Sequence, residues 1–249
     1  MQHTYDSSFM NYADLSSRQS ARAISEILRE VLKIDSVLDI GCARGTWLGA
    51  WQESGVADIF GADGEYVSTR ELVIPANRFV AADLSRPIDL GRKFDLVQSL
   101  EVAEHIPTDC ADQFVENLTR HSGGFVLFSA APPGQGGEFH INEQPYDYWR
   151  ARFQRHDFIA HDWIRPRIAR DPSISFWYRF NTILYVHRDL AQTLPVKLRA
   201  ARVPDATPIA DISPLWFRAR KLLIRGLPFA VQQKLARLKA RSWRRAQTH

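Results

Sequence analysis

Short apolar runs alternate along the chain with segments whose apolar positions recur at helical spacing. Ala23, Ile24, Ile27, Leu28, Val31 and Leu32 share one face of a helix predicted over 15–33, with Ser16 or Ser17 at its start. Residues 36–40 then form a β-branched, leucine-rich run of the kind buried in a sheet, and Trp47, Leu48 and Trp51 mark a helix behind it. Further strands are predicted at 57–62, 79–84, 94–100 and 124–129, with a helix over 109–120 before the last of them. Residues 157–163 read as a sixth strand, and the aromatic and β-branched run 175–187 as a long antiparallel seventh. Strands alternating with helices predict an α/β fold, a doubly wound and mostly parallel sheet whose ligands bind beyond the carboxyl ends of the strands.

The first strand runs into Asp39-Ile40-Gly41-Cys42-Ala43-Arg44-Gly45-Thr46-Trp47. Gly41 opens a tight turn, and Gly45 lets a ligand or a neighbouring strand come close. Such a strand-turn-helix offers backbone N–H groups to a polar or anionic ligand, and it is also an ordinary architectural joint. Dinucleotide sites space three glycines as G-x-G-x-x-G. Here Ala43 stands between two glycines and Asp39 lies two residues ahead of the first, a carboxylate better suited to the ammonium of an amino-acid-like ligand than to a pyrophosphate. Asp63 follows Gly45 by 18 residues, close to the offset of about 20 at which an acid accepts hydrogen bonds from ribose hydroxyls. Glu65 is the alternative, and a turn acid before Gly64 is the architectural reading. Asp83 ends the third run, so three successive strand ends carry an acid.

These residues resemble motif I of the class I S-adenosylmethionine-dependent methyltransferases, D/E-x-G-x-G-x-G, with Ala43 in the middle position. The resemblance spans residues 15–188. It implies a Rossmann-like seven-stranded sheet of order 3-2-1-4-5-7-6 and S-adenosyl-L-methionine as cofactor. It assigns Asp39, Gly41, Gly45 and Asp63 to the cofactor, and places Asp83 on the adenine amino group with Leu84 against the ring.

Directly after the fourth strand comes Glu101-Val102-Ala103-Glu104-His105. Two carboxylates and an imidazole gathered there suit either a divalent cation or an acid–base set. The spacing resembles the E-x-x-E-H pattern of the ubiquinone-biosynthesis O-methyltransferases and the plant small-RNA 2′-O-methyltransferases, where it binds Mg²⁺ or a similar ion. The latter add a histidine after the fifth strand, which is the place of His140. The resemblance thus implies Glu101, Glu104, His105 and His140 as catalytic residues or metal ligands. Without a metal, His105 is a general base or orders its loop. Residues 130–137, rich in Gly and Pro, are expected as a mobile loop on the substrate side. Tyr146, Tyr148 and Trp149 either stack on a substrate or belong to the core. The stretches 129–137, 140–144 and 177–181 resemble a subgroup acting in surface-polysaccharide or secondary-metabolite pathways, which implies a small-molecule or glycan acceptor.

At 249 residues, 45% apolar and 24% charged, the chain has the composition of a soluble globular protein with one main domain. No apolar run approaches the roughly 20 residues of a membrane span, and residues 1–10 lack a signal-like apolar stretch, so a cytoplasmic protein is expected. Cys42 and Cys110 match no metal or redox spacing and read as inert thiols. The net charge of +4 hides an asymmetry. After Asp211 there is no acid, whereas Arg218, Arg220, Lys221, Arg225, Lys234, Arg237, Lys239, Arg241, Arg244 and Arg245 are all basic. They interleave with Trp216, Phe217, Leu222, Leu223, Leu227 and later apolar residues, and Gly226 with Pro228 divides them into two short helices.

Four prolines in 193–214 suggest a linker, giving a domain at 1–192, a linker at 193–214 and a basic amphipathic tail at 215–249. The tail either docks on the domain or a second subunit, or makes peripheral contact with an anionic membrane; nucleic acid is the lesser expectation. Tyr5, Phe9 and Tyr12 suggest a lid over the cofactor, or a frayed terminus. Two rival functions stand beside the methyltransferase. An NAD-dependent oxidoreductase is opposed by Asp39 and the missing glycine; a cofactor-binding scaffold would act through its tail.

Overall fold

The computed structural model describes residues 7–228, 231 and 234, with side-chain surroundings from residue 17 onward. Helix α1 (Ser7–Arg29) leads into strand β1 (Ser36–Ile40), helix α2 (Thr46–Glu53), strands β2 (Asp58–Asp63), β3 (Phe79–Ala81) and β4 (Phe94–Leu100), helix α3 (Ala111–Arg120) and strand β5 (Ser122–Ser129). Helix α4 (Tyr146–Gln154), strand β6 (Phe158–His161), helices α5 (Arg165–Ile168) and α6 (Phe176–Asn181), strand β7 (Ile183–His187) and helices α7 (Val196–Arg199) and α8 (Leu215–Arg225) complete it. The strands form one sheet in the order β3-β2-β1-β4-β5-β7-β6. β7 runs antiparallel between β5 and β6, and the other neighbours are parallel. This is the implied order, with the carboxyl ends of β1 to β5 along one edge.

Alternate residues of each strand feed opposite faces, as the pleat requires. Val37, Leu96, Leu127 and Leu184 pack with Ile24, Leu28, Leu48 and Trp51 under α1 and α2. Leu38, Val97, Val126 and Tyr185 pack with Phe114, Leu118, Trp149 and Phe153 under α3 and α4. Asp39 shares the pleat of Val37, so its carboxylate enters the α1/α2 side. Among the described residues no helix is long and apolar enough to cross a membrane.

Several expectations need correction. The long seventh strand over 175–187 is two elements: β7 is only its second half, and 176–181 is α6. β7 pairs with β5 over Phe125–Phe128 alone, and upstream of that pairing Phe176 and Phe180 meet across one helical turn at 4.7 Å. No α-helix separates β2 from β3 or β3 from β4; short 3₁₀ turns and loops span those gaps. Ser17 does not cap α1 but lies within it, buried, its hydroxyl 3.1 Å from that of Tyr178.

The expected linker 193–214 packs on the domain. Leu194, Leu198 and Ile209 are buried, the Val203 N–H donates to the Ala160 carbonyl at 2.9 Å, and Arg150 donates to the Thr207 carbonyl at 2.7 Å. Its apolar residues are too sparse to show a period, yet Leu194, Leu198 and Ile209 join the core while Val196 stays exposed. Of the two tail helices, the first is α8; the second lies outside the described residues, as do Tyr5 and the side chains of Phe9 and Tyr12.

Candidate active site

At the carboxyl end of β1 the chain turns sharply: Gly41, Ala43 and Gly45 all have left-handed φ, +89°, +48° and +85°. A Cβ on Gly41 would lie 2.4 Å from Cγ2 of Val102, so the approach of the β4 loop alone demands glycine there. Ala43, at the position usually held by glycine, bears the left-handed conformation with its Cβ in place, at a cost of about 1–2 kcal/mol. What holds it is Asp63 at the tip of β2, whose carboxylate accepts from the Ala43 N–H at 2.6 Å. Asp63 also accepts from the Gly64 N–H at 2.7 Å and from the Tyr66 hydroxyl. A carboxylate offers about four acceptor positions, and three are in use within the protein. Glu65, the alternative, is exposed.

Asp39 is buried and accepts from Nε2 of Gln98 at 2.9 Å, while Oε1 of Gln98 accepts from the indole N–H of Trp51 at 2.9 Å. Burial pushes the Asp39 carboxyl up to about 7 against the lowering effect of Gln98, and the nearby Asp63 charge adds to the rise. Burial likewise raises Asp63, whose hydrogen bonds from Tyr66, Ala43 and Gly64 offset part of that rise. Asp83 differs in kind. β3 stops at Ala81, so Asp83 sits in the following turn, its side chain 57% exposed, bonded to Ser85 and Arg86. The hydroxyl of Ser85 and the charge of Arg86 hold its carboxyl below the usual range. Leu84 beside it is buried. The three acids therefore line one edge of the sheet, two inside and one at the rim.

The second group forms at the ends of β4 and β5. Glu101 has φ +58° and its N–H donates to the Ser129 carbonyl at 3.0 Å. This turns its carboxylate toward Asn181 and Gln135, which donate to its two oxygens at 3.0 and 2.9 Å. Asn181 also donates to Oε1 of Gln135 and accepts from the Tyr146 hydroxyl, closing a network. Glu101 thus stands apart from the ligand set expected of it: the atoms that converge belong to Glu104, His105 and His140, all within 4.8 Å of one another.

Glu104 is fully buried, and neither carboxylate oxygen has a hydrogen-bond partner. Burial pushes its carboxyl far above the ordinary range and the neighbouring Glu101 charge adds to the rise; the backbone N–H groups of Glu104 and Ala131 offset only part of it. His140, 36 residues after Glu104, arrives because the N–H groups of Ile141 and Asn142 both donate to the Glu104 carbonyl, at 2.9 and 3.0 Å. Its Nδ1 lies 2.8 Å from Glu143, and its Nε2 faces Glu104 at 3.9 Å. The His105 and His140 rings meet edge to face at 4.9 Å. Glu143 also accepts from the N–H groups of Gly134 and Gly136, at 2.7 Å each, which pins the Gly/Pro loop. A histidine with one nitrogen on a carboxylate and the other facing a buried acid has the arrangement of a metal ligand and its supporting partner.

Gln135, Asn181 and Glu143 carry no expectation as site residues, although the sequence places each within a quoted motif. Polar residues in an otherwise aromatic or Gly/Pro-rich stretch are the signal that could have singled them out. The aromatics resolve toward the core. Trp149 packs on Phe128, Tyr146 bonds Asn181, and the Arg152 guanidinium covers Tyr148 at 3.5 Å. Cys42 is a buried thiol pushed well up by burial and by Asp63 and Asp39, and Cys110 is also free.

A parallel sheet with a glycine turn after β1 and acids along its carboxyl edge, beside a carboxylate–imidazole cluster, defines a cofactor-dependent α/β enzyme class. A family profile described as "Methyltransferase domain" matches residues 10–167, and the chain belongs to that family. Its fold is the Rossmann-like one of S-adenosylmethionine-dependent methyltransferases. The sugar N-methyltransferase KedS8 from Streptoalloteichus sp ATCC 53650 superposes with TM-score 0.54 at 16% identity, over 76% of this chain and 95% of that one. DesVI of Streptomyces venezuelae gives 0.53 at 15%, over 72% and 96%. Magnesium protoporphyrin IX methyltransferase (ChlM) from Synechocystis PCC 6803, with bound SAH, gives 0.51 at 19%, over 75% and 90%. Among curated proteins there is no match. The family excludes the oxidoreductase reading.

Proposed function

We propose that the protein is a cytoplasmic S-adenosylmethionine-dependent O-methyltransferase that acts on a hydroxyl of a sugar, glycan or secondary metabolite, with a divalent cation held by Glu104, His105 and His140. The observation that carries the cation is Glu104, a wholly buried carboxylate with both oxygens unpartnered beside two imidazoles. An unpaired buried charge costs several kcal/mol, and a cation relieves it. The choice of oxygen follows from the same cluster. An amine attacks a sulfonium without help, whereas an alcohol must shed a proton, and a cation bound here would lower that pKa as a Lewis acid.

For the cofactor, the buried Asp39 supplies a negative partner for the ammonium. Asp63 receives ribose hydroxyls where the Tyr66 hydroxyl now bonds, and Asp83 with Leu84 meets the adenine. Transfer breaks the S–CH₃ bond as the acceptor oxygen bonds the methyl carbon; the sulfur leaves as a neutral thioether and the hydroxyl proton goes to a base. With the cation bound, the His105 lone pair is a ligand and the proton leaves to water; without a cation, His105 is the side chain that takes the proton. Its Nδ1 faces the Phe139 carbonyl at 3.3 Å, a pairing that assigns Nε2 as the basic nitrogen. Gln135 and Asn181 hold Glu101 beside the cluster, and the Gly/Pro loop orders the acceptor.

The test is transfer of labelled methyl from S-adenosylmethionine to a panel of sugar hydroxyls and sugar amines, with chelator and with Mg²⁺ or Mn²⁺ restored. Turnover on hydroxyls that a chelator stops and a cation restores is expected. Unchanged turnover in chelator removes the cation from the reading, and transfer to amines alone removes the oxygen acceptor.

A further inference from the structure

The structure of α8 points to a partner outside the site. Its inner face is settled: Phe217 is buried, 4.5 Å from the Phe176 ring, and Lys221 is buried with its ammonium on Asp211. Its outer face is exposed in the structure of the described residues. Leu215, Trp216, Leu222 and Leu223 are 78%, 63%, 70% and 74% exposed and recur at helical spacing, with Leu227 continuing the line. Exposed Arg218 and Arg225 flank that stripe, and no acid follows Asp211 to the end of the chain.

We propose that α8 lays this stripe on an anionic lipid surface. Apolar side chains rimmed by arginine on a short exposed helix match the interface of a bilayer, where the leucines and the tryptophan enter the headgroup boundary and the guanidinium groups meet phosphates. The same charge argues against other occupants. A symmetric second copy would bring two uniformly basic faces together, and nucleic acid would engage the arginines while leaving the apolar stripe in water. The helix also grips the loop of the candidate site. The Arg220 guanidinium donates to the Gln135 carbonyl at 3.0 Å, and a Cβ on Gly134 would lie 2.2 Å from the Lys221 carbonyl oxygen. The lipid-facing element and the loop beside Glu101 are therefore one packed unit. The docking stands on α8 alone and is tested without methyl transfer.

The experiment is co-sedimentation of the full chain with sucrose-loaded vesicles of phosphatidylcholine alone and of phosphatidylcholine with phosphatidylglycerol. Two paired variants accompany it, Leu222→Glu with Leu223→Glu and, adding no charge, Leu222→Ser with Leu223→Ser. Their thermal unfolding is compared with that of the unaltered chain, which exposed positions leave unchanged. The protein sediments with the anionic vesicles and not with the neutral ones, less so as salt rises. The Glu pair binds at least tenfold more weakly, and the Ser pair falls between. Three results overturn the proposal: no sedimentation with anionic vesicles, whether or not the chain then binds RNA; paired variants that bind as tightly as the parent; or a dimer in solution that the variants split.

Discussion

The two halves of the site's rim treat buried acids in opposite ways. On the β1–β2 side, Asp39 and Asp63 are buried but answered from within the protein: Gln98 donates to one, and Ala43, Gly64 and Tyr66 donate to the other. On the β4–β5 side, Glu101 is answered by Asn181 and Gln135, but Glu104, three residues on, has no hydrogen-bond partner and only a partial offset from the nearby backbone N–H groups of Glu104 and Ala131. A buried acid with donors of its own is part of the frame, and a ligand shares it. One without a hydrogen-bond partner is held neutral by a proton or balanced by a cation, because the desolvation it suffers is otherwise only partly offset. The first half is closed by the protein's own donors; the second holds a carboxyl that no donor of the described residues bonds.

Four changes sharpen or break this contrast. Replacing Glu104 with Gln should do most, lowering turnover by about 10²–10³-fold, the several kcal/mol a Lewis acid contributes. Calorimetric Mn²⁺ binding is lost with it, while stability at pH 8 rises because no charge need be buried. Retained Mn²⁺ affinity would move the cation elsewhere.

Next is Gly41→Ala, which combines a left-handed φ with the collision against Val102. It should cost about 3 kcal/mol, lowering Tm by about 10 °C in thermal unfolding. Adding Val102→Ala should recover only the collision part, so full recovery would show that φ contributes nothing.

Asp39→Asn should weaken cofactor affinity about tenfold, a loss on the order of 1.4 kcal/mol. Its pH dependence has a definite sign. Burial raises this acid to about 7, so the fold favours its neutral form. The stability it lends is intact below its unfolded value near 4 and is lost as pH rises through about 7. The Asn variant should therefore be the more stable above pH 7, by a few kcal/mol at about 1.4 kcal/mol per pH unit of the rise, and should lack the gain in cofactor affinity expected of the parent as pH rises through 7. Equal pH profiles would mean that Asp39 does not meet the ammonium.

The smallest effect belongs to Ala43→Gly. Relief of the left-handed alanine outweighs the added freedom of the unfolded chain, for a gain of about 0.5 kcal/mol in denaturant unfolding.

The strands, the glycine turn and the acids of the β1–β2 side were legible in the sequence because each is a local signal. A β-branched run, a glycine at a strand end and an acid at its tip sit within a few residues of one another. Composition likewise marked the basic character of the tail, although α8 packs on the rest of the chain through Phe217 and Lys221. The β4 side was legible only as a list. Glu101 and Glu104 look equivalent three residues apart, and what separates them is Asn181 and Gln135, brought from 80 and 34 positions away. His140 joins Glu104 through backbone hydrogen bonds that no spacing foretells.

Two further decisions were tertiary. Residues 176–181 have strand-like composition, but β5 offers β7 no partner beyond Phe128, so they coil and set Asn181 over the site. Residues 193–214 lack a period, yet the β6 edge has room for Leu198 and α4 for Ile209, and burial makes a structural segment of an expected linker. Local pattern thus determined most of the elements and the chemistry they carry, though not the helix at 176–181. Only packing between distant segments decided which carboxylate is satisfied and which is left wanting, because donors are assigned in space and not along the chain.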